Sequence, residues 1–429
     1  MTTENGPKGA VRAAMWPLIL ITSLFFFWGV ANNLNDVLIP QFKKAFVLTD
    51  LQSSLVQSAF YLGYFFLALP AALVMRRFGY KAAVVLGLVL YAAGAFLFWP
   101  AAETHQYSFF LGALFVIASG LAFLETSANP LITVLGSPEK AAFRLNLAQS
   151  FNPLGAISGI FIGQHFILSG IEHDEASLGA LDEAARQAFY VSEVKAVQGP
   201  YLLIGAVVLM WAVLVLLSKF PAAATRNSHE DTGEDIGAFE SIKRLFSRPR
   251  FMFGVVAQFF YVGAQVGIWS FTIRYAQAEL GLSEKAAASF LYYALIAFAV
   301  GRFAGTALMS RLSPRLILGG FALANIVLTL TGVIAGGETG LWALTAASFF
   351  MSVMFPTIFA TSLQGLGNLT KTGSSFLVMA IVGGAALPMV MGFISDISHI
   401  RQAFLVTTAC FAVITLYAFT ASVNRKKEV

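Results

Sequence analysis

Three ionisable residues lie well inside long apolar runs of this chain, and they are where its chemistry can reside: Asp36, Glu125 and Arg302. An ionised group at a bilayer centre costs about 2.5–3.5 kcal/mol on insertion scales, so each needs a reason to be there. Glu125 sits in Gly120-Leu121-Ala122-Phe123-Leu124-Glu125-Thr126-Ser127-Ala128-Asn129-Pro130, with no basic residue within a helical turn. A carboxyl group that exchanges a proton while facing either side of a membrane is a proton carrier. An acid kept protonated for an interhelical hydrogen bond is the structural alternative, but glutamine would serve that purpose equally well. Asp36 closes the run Asn32-Asn33-Leu34-Asn35-Asp36. Asn32 and Asn33 lie four and three residues before it, so the three share one helix face. That face, opposite Leu24-Phe25-Phe26-Phe27, is expected to line a cavity; otherwise Asp36 is simply hydrated at a helix end before Pro40.

Neutral polar residues form two further sets. Asn146, Gln149 and Asn152 recur every three residues ahead of Pro153 and Gly155. Such a stripe of amides suits sugar hydroxyls, or equally glues helices together. Gln258, Tyr261, Gln265 and Trp269 lie close to one face of another run, where aromatic rings could stack on a sugar. For Trp269 the competing role is the aromatic belt at a membrane interface. Arg302, after Gly301, is expected to snorkel or to pair with a polar partner in a structural role.

These residues need elements to hold them, and composition says which kind. Only 11% of the 429 residues are charged while 58% are hydrophobic, with mean hydropathy +0.75. A soluble domain carries about a quarter charged residues. Lipid must therefore cover much of the surface, and the chain is read as an all-α membrane protein. A span needs about 20 mainly apolar residues. Runs of that kind fall near 16–42, 50–75, 80–100, 107–135, 141–169 and 199–218, then near 250–277, 285–310, 314–335, 340–366, 371–395 and 400–423. This predicts twelve transmembrane helices in two six-helix halves, 1–218 and 250–429, joined by a cytoplasmic linker, 219–249. The polar stretch Lys219–Arg250, the linker with the first residue after it, carries an acidic cluster (Glu230, Asp231, Glu234, Asp235), followed by basic Lys243, Arg244, Arg248 and Arg250. A surface helix is expected near 176–189 in the long loop after the fifth span.

Arg77-Phe78-Gly79-Tyr80-Lys81 and Arg311-Leu312-Ser313-Pro314-Arg315 occupy equivalent loops of the two halves, as do Leu135-Gly136 and Leu366-Gly367 at nearly the same offset. Duplication of this kind places a solute site between pseudo-symmetric halves near the midplane. Net charge is +5, yet the basic residues form short clusters between apolar runs, which is the positive-inside pattern and not a nucleic-acid surface. Most fall on one side if both termini are cytoplasmic, as in a bacterial inner-membrane protein, and Met1–Met15 reads as a retained tail. Cys410 is the only cysteine and reads as a buried thiol. No Ser–His–Asp set, metal-ligand cluster or nucleotide loop is present, which argues against an enzyme.

Longer strings carry a resemblance. Ala31-Asn32-Asn33-Leu34-Asn35-Asp36, Pro40-Gln41-Phe42, Gln57-Ser58-Ala59-Phe60-Tyr61, Leu124-Glu125-Thr126, Phe143-Arg144-Leu145-Asn146-Leu147-Ala148-Gln149, Tyr261-Val262-Gly263-Ala264-Gln265, Gly301-Arg302-Phe303 and Pro356-Thr357-Ile358-Phe359 are similar to the fucose permease family of L-fucose–proton symporters, in the major facilitator superfamily. The likeness covers essentially the whole chain. It implies a major facilitator fold and proton-coupled symport of a monosaccharide by alternating access, with the proton as coupling ion and no cofactor. It also implies proton-coupling roles for Asp36 and Glu125. Substrate contacts are expected from Trp28, Asn32, Asn33, Gln149, Asn152, Tyr261, Gln265, Trp269 and Phe355. The family has a tyrosine where this chain has Phe355, so the cargo is L-fucose or a related hexose, deoxyhexose or amino sugar. Expected partners are the sugar and membrane lipid, without nucleic acid, for a chain acting as a monomer. A uniporter, a sodium-coupled carrier and a non-transporting sugar sensor are the alternatives.

Overall fold

A computed structural model describes residues 7–46, 48, 50–135, 137–167, 182–220, 225 and 237–423. All regular secondary structure among them is helical. The cause is the solvent: lipid offers no hydrogen bonds, so each segment must satisfy its backbone internally. Helix α1 spans Pro7–Ala45 and α2 spans Asp50–Thr104. At 55 residues α2 would extend about 80 Å if straight, far beyond a hydrocarbon core of about 30 Å. It turns back at Gly79, whose φ of 82° and ψ of 172° only glycine adopts readily, and so provides two spans. Helix α3 covers Tyr107–Val134.

The fifth predicted span is not continuous. It forms α4 (Ala141–Gln149) and α5 (Asn152–Ile162), followed by a π turn at Gly163–Ile167. The break falls at Ser150-Phe151 because Pro153 brings no N–H, which suits a first turn and not a helix interior. The predicted surface helix is α6 (Glu183–Lys195), capped by Asp182, whose carboxylate accepts from the Ala185 amide at 2.7 Å; residues 176–181 of that expectation lie outside the described residues. Then follow α7 (Gln198–Leu217), α8 (Ala238–Phe246), α9 (Pro249–Leu280), α10 (Glu284–Leu308) and α11 (Pro314–Ile334). The tenth predicted span is α12 (Gly337–Met351) plus α13 (Met354–Leu363), broken at Ser352, the carbonyl that Pro356 cannot pair. The eleventh is α14 (Thr370–Met379) and α15 (Gly383–Ile397), and the last is α16 (Ile400–Val423). Ten stretches among the described residues are long and apolar enough to cross a bilayer. One of these, Ala59–Thr104, contains the Gly79 turn, and the broken 141–167 segment adds another crossing, which reconciles that figure with twelve.

The chain divides into two compact units, residues 1–128 with 151–225, and residues 129–150 with 226–429. In the first, α1 and α5 meet backbone to backbone. A Cβ added at Gly29 would stand 2.1 Å from the Asn152 carbonyl oxygen, and one at Gly155 only 2.0 Å from that of Phe26. Gly159 is similarly close, 2.8 Å, to Val30 O. Small residues of this kind let membrane helices approach closely. Gly155→Val is therefore expected to destabilise the protein by about 1–3 kcal/mol, because a backbone oxygen cannot step aside as a side chain can. A lowered melting temperature in detergent checks this; unchanged melting would show that the seam yields.

In the second unit, Tyr261, Phe271, Tyr275, Phe404, Phe411 and Tyr417 build the core, all nearly or fully buried. One end is closed by a polar clasp. Glu279, its side chain 2% exposed, accepts from Arg401 and from the Gly337 amide at 2.9 Å, and His399 lies 3.7 Å from its other oxygen.

Candidate functional site

In the first unit, α3 presents Glu125, 4% exposed, between Leu124 and the buried pair Thr126 and Ser127. No described cation lies within ion-pair distance of it. Tyr64, on α2, is buried within electrostatic range of this carboxyl group. Its hydroxyl oxygen accepts a 2.7 Å hydrogen bond from Trp28 Nε1, on α1. Trp28 is in turn stacked on Phe25, ring centroids 5.6 Å apart. With that lone pair occupied, the Tyr64 hydroxyl keeps its own proton to donate. Sequence reasoning missed Tyr64; the signal was its place in Ala59-Phe60-Tyr61-Leu62-Gly63-Tyr64, one residue past a glycine that fits against Ala118 on α3.

The amides of α1 and α5 follow from the glycine seam. Asn33 Nδ2 donates to Gly29 O at 2.9 Å, and Asn152 Nδ2 donates to Phe25 O at 3.3 Å. Their carbonyl oxygens are thereby left to accept from a ligand. Asn32 Oδ1 is buried with no partner. The backbone of Asp36 belongs to α1, while its side chain lies outside the described residues.

The expected amide stripe does not hold together. The break at Ser150-Phe151 assigns Asn152 to the first unit and Asn146 with Gln149 to the second. Asn146 is fully buried and donates to Ala142 O at 2.9 Å and to Thr357 Oγ1 at 3.1 Å, joining α4 to α13. That is the helix-joining role the stripe left open. Gln149, in contrast, enters a directed chain. Arg302 on α10, 4% exposed, donates from Nη1 to Gln149 Oε1 at 3.0 Å. Gln149 Nε2 then donates to Asn129 Oδ1 at 3.0 Å. A guanidinium can only donate, so it settles which end of the Gln149 amide carries the oxygen.

Arg302 finds a polar partner, as expected, and also lies 5.0 Å above the ring of Phe298. Trp269 meets that ring in a T-shaped contact with centroids 5.1 Å apart, and Trp269 Nε1 donates to Ser348 Oγ at 3.1 Å. Gln149 and Trp269 are thus linked through Arg302 and Phe298, an aromatic that nothing in the sequence pattern distinguished. Tyr261 is fully buried, its hydroxyl donating to Met351 O at 3.1 Å. Its ring backs Phe355, 6.2 Å away, and Phe355 also stacks on Phe359. Gln265 is half-buried, and Gln258 is fully buried with both ends of its amide unpartnered. No cluster of metal-ligating side chains occurs among the described residues.

Apolar helices long enough to cross a bilayer, with a buried carboxyl group and polar chains deep among them, are the construction of a multi-pass membrane carrier. The Major Facilitator Superfamily signature matches residues 19–387, and the chain belongs to that family. The L-fucose-proton symporter of Escherichia coli (strain K12) is 48% identical over 414 residues, covering 96% of this chain and 94% of that protein. The glucose/galactose transporter of Brucella abortus (strain 2308) is 38% identical over 409 residues, covering 94% of each. The crystal structure of the E. coli fucose:proton symporter FucP superposes with a TM-score of 0.87 at 46% identity, covering 95% of this chain and 98% of that one. The fold and relatives are those of multi-pass transporters and not of enzymes.

Proposed function

We propose that this protein is a proton-coupled monosaccharide symporter of a bacterial inner membrane, with both termini cytoplasmic, working as a monomer. Residues 1–218 and 250–429 act as two halves that rock about a central site, with 219–249 as their linker. The observation that carries the proposal is Glu125: a carboxyl group 4% exposed, without a described cation, beside the Trp28–Tyr64 hydrogen bond. The symporter relative in E. coli, 48% identical, supports the same reading.

Glu125 takes up a proton when the site is open outward and releases it inward, and Asp36 adjusts its affinity or gates the outer side. Protonation has to favour the sugar-binding or the reorienting state, because a ligand shifts an equilibrium only through differential affinity. Asn32, Asn33 and Asn152 offer acceptor oxygens to sugar hydroxyls, Gln149 and Gln265 offer amides, and Trp28, Trp269 and Phe355 supply aromatic surface, with Tyr261 behind Phe355. In liposomes holding the purified protein, adding L-fucose, D-galactose or D-glucose outside should alkalinise the external medium. Counterflow without proton movement would indicate a uniporter, accumulation that follows sodium at a clamped pH a sodium-coupled carrier, and binding without counterflow a sensor. Each of these would overturn symport with protons.

Phe355 makes the cargo testable. Phe355→Tyr restores a hydroxyl, and a new hydrogen bond contributes about 0.5–1.5 kcal/mol. The variant is expected to bind L-fucose roughly 3–10-fold more tightly while D-glucose binding changes little. Sugar-dependent tryptophan fluorescence measures both affinities, and an equal change for the two sugars would remove Phe355 from specificity.

A further inference from the structure

Helix α8 distributes its residues over three faces. At 100° per residue, Ala238, Ser241 and Leu245 share one side. Ser241 and Leu245 are 3% and 0% exposed, against α9 and α14. Phe239, Ile242 and Phe246 form the adjoining stripe. Phe239 is 81% and Phe246 58% exposed, although Phe246 also meets the ring of Phe376 edge-on at 5.7 Å. Glu240, Lys243, Arg244 and Ser247 complete the circle, and the last three are exposed. Arg244 pairs with Glu240 at 3.0 Å, and Arg248 donates to Gly365 O at 3.1 Å. Arg248 and the exposed Arg250 flank Pro249, where the span α9 begins. A helix this short gains little from displaying two phenylalanines to water. Lipid is the medium that accepts them, with basic side chains extending to the headgroups.

We propose that α8 is an interfacial helix that binds anionic phospholipid of the inner leaflet, with Phe239, Ile242 and Phe246 in the acyl boundary and Lys243, Arg244, Arg248 and Arg250 on the headgroups. The inference rests on the cytoplasmic placement of residues 219–249. Its occupant follows from charge: four basic side chains and one acid lie within Phe239–Arg250. A negatively charged leaflet favours each basic residue by about fivefold in partitioning.

The test uses the full-length protein in nanodiscs. Cys410 is fully buried, so a cysteine introduced at the surface is the reactive thiol. A spin label at Phe239→Cys should be accessible to oxygen and shielded from an aqueous nickel chelate when phosphatidylglycerol is present, with a label at Ser247→Cys showing the reverse. Lys243→Gln with Arg244→Gln should weaken the phosphatidylglycerol dependence of the Phe239 label by an order of magnitude or more, at fivefold per charge. Equal chelate access at positions 239 and 247 would overturn the proposal. A shielded label that ignores phosphatidylglycerol, and is released by neutralising Glu230, Asp231, Glu234 and Asp235, would also overturn it by assigning the basic face to that acidic segment. Sugar-driven proton uptake, measured on the same samples, reports the transport reading separately.

Discussion

Glu125→Gln is expected to reduce sugar accumulation in proteoliposomes to the external concentration while leaving exchange between equal pools intact. Glutamine keeps the volume of the side chain and its hydrogen-bonding capacity, so a role limited to packing or to a bond with Tyr64 survives the change. What is lost is the exchangeable proton. The variant resembles the protonated acid permanently, so its sugar affinity should stay at the acidic-pH level as pH rises. The wild type should lose affinity over the same rise, as Glu125 gives up its proton. Glu125→Asp keeps the chemistry and should retain coupling at a reduced rate. Accumulation against a gradient in the Gln variant would remove Glu125 from coupling and return attention to Asp36.

The second large effect concerns Gln149. Gln149→Ala removes both amide contacts and should weaken sugar binding roughly 10–100-fold, in line with about 1–3 kcal/mol for an unmet buried polar group. If Arg302 serves by fixing the Gln149 amide and not by touching the sugar, Arg302→Gln should give a loss of similar size. The double variant should then be no worse than Gln149→Ala alone, since residues in one hydrogen-bond network are not additive. Arg302→Lys keeps a charge without the planar fork and should lie between wild type and Arg302→Gln. Additive losses would make Arg302 an independent contributor. No loss in Gln149→Ala would instead remove Gln149 from the site and leave the orientation of its amide without consequence for binding.

Sequence alone made the architecture legible because lipid imposes a simple code: a span is a long apolar run and a turn is where it stops. The Arg77–Lys81 loop was placed correctly for that reason, and Gly79 supplies the turn. The internal breaks were less legible. Pro153 and Pro356 were visible, but whether a proline bends or interrupts a helix depends on what its neighbours pack against. That uncertainty split the Asn146, Gln149 and Asn152 stripe, whose spacing of three suggested one face of one helix. Glu125 was legible as a charge in an apolar context. Tyr64 and Phe298 were not, because tyrosine and phenylalanine are common in spans and only a tertiary neighbour, Trp28 or Arg302, distinguishes them.

The glycine seam between α1 and α5 also bears on how this protein's cargo could be changed by laboratory evolution. Positions 29, 155 and 159 tolerate almost no added atom, so libraries that vary them will return mostly misassembled chains. Asn33 and Asn152 sit on the same two helices and tie the seam with their side-chain amides, to Gly29 O and Phe25 O, while Asn32 Oδ1 is buried without a partner. With the three glycines held constant, Asn32 is therefore the position to vary first, since its side chain gives up no hydrogen bond of the seam.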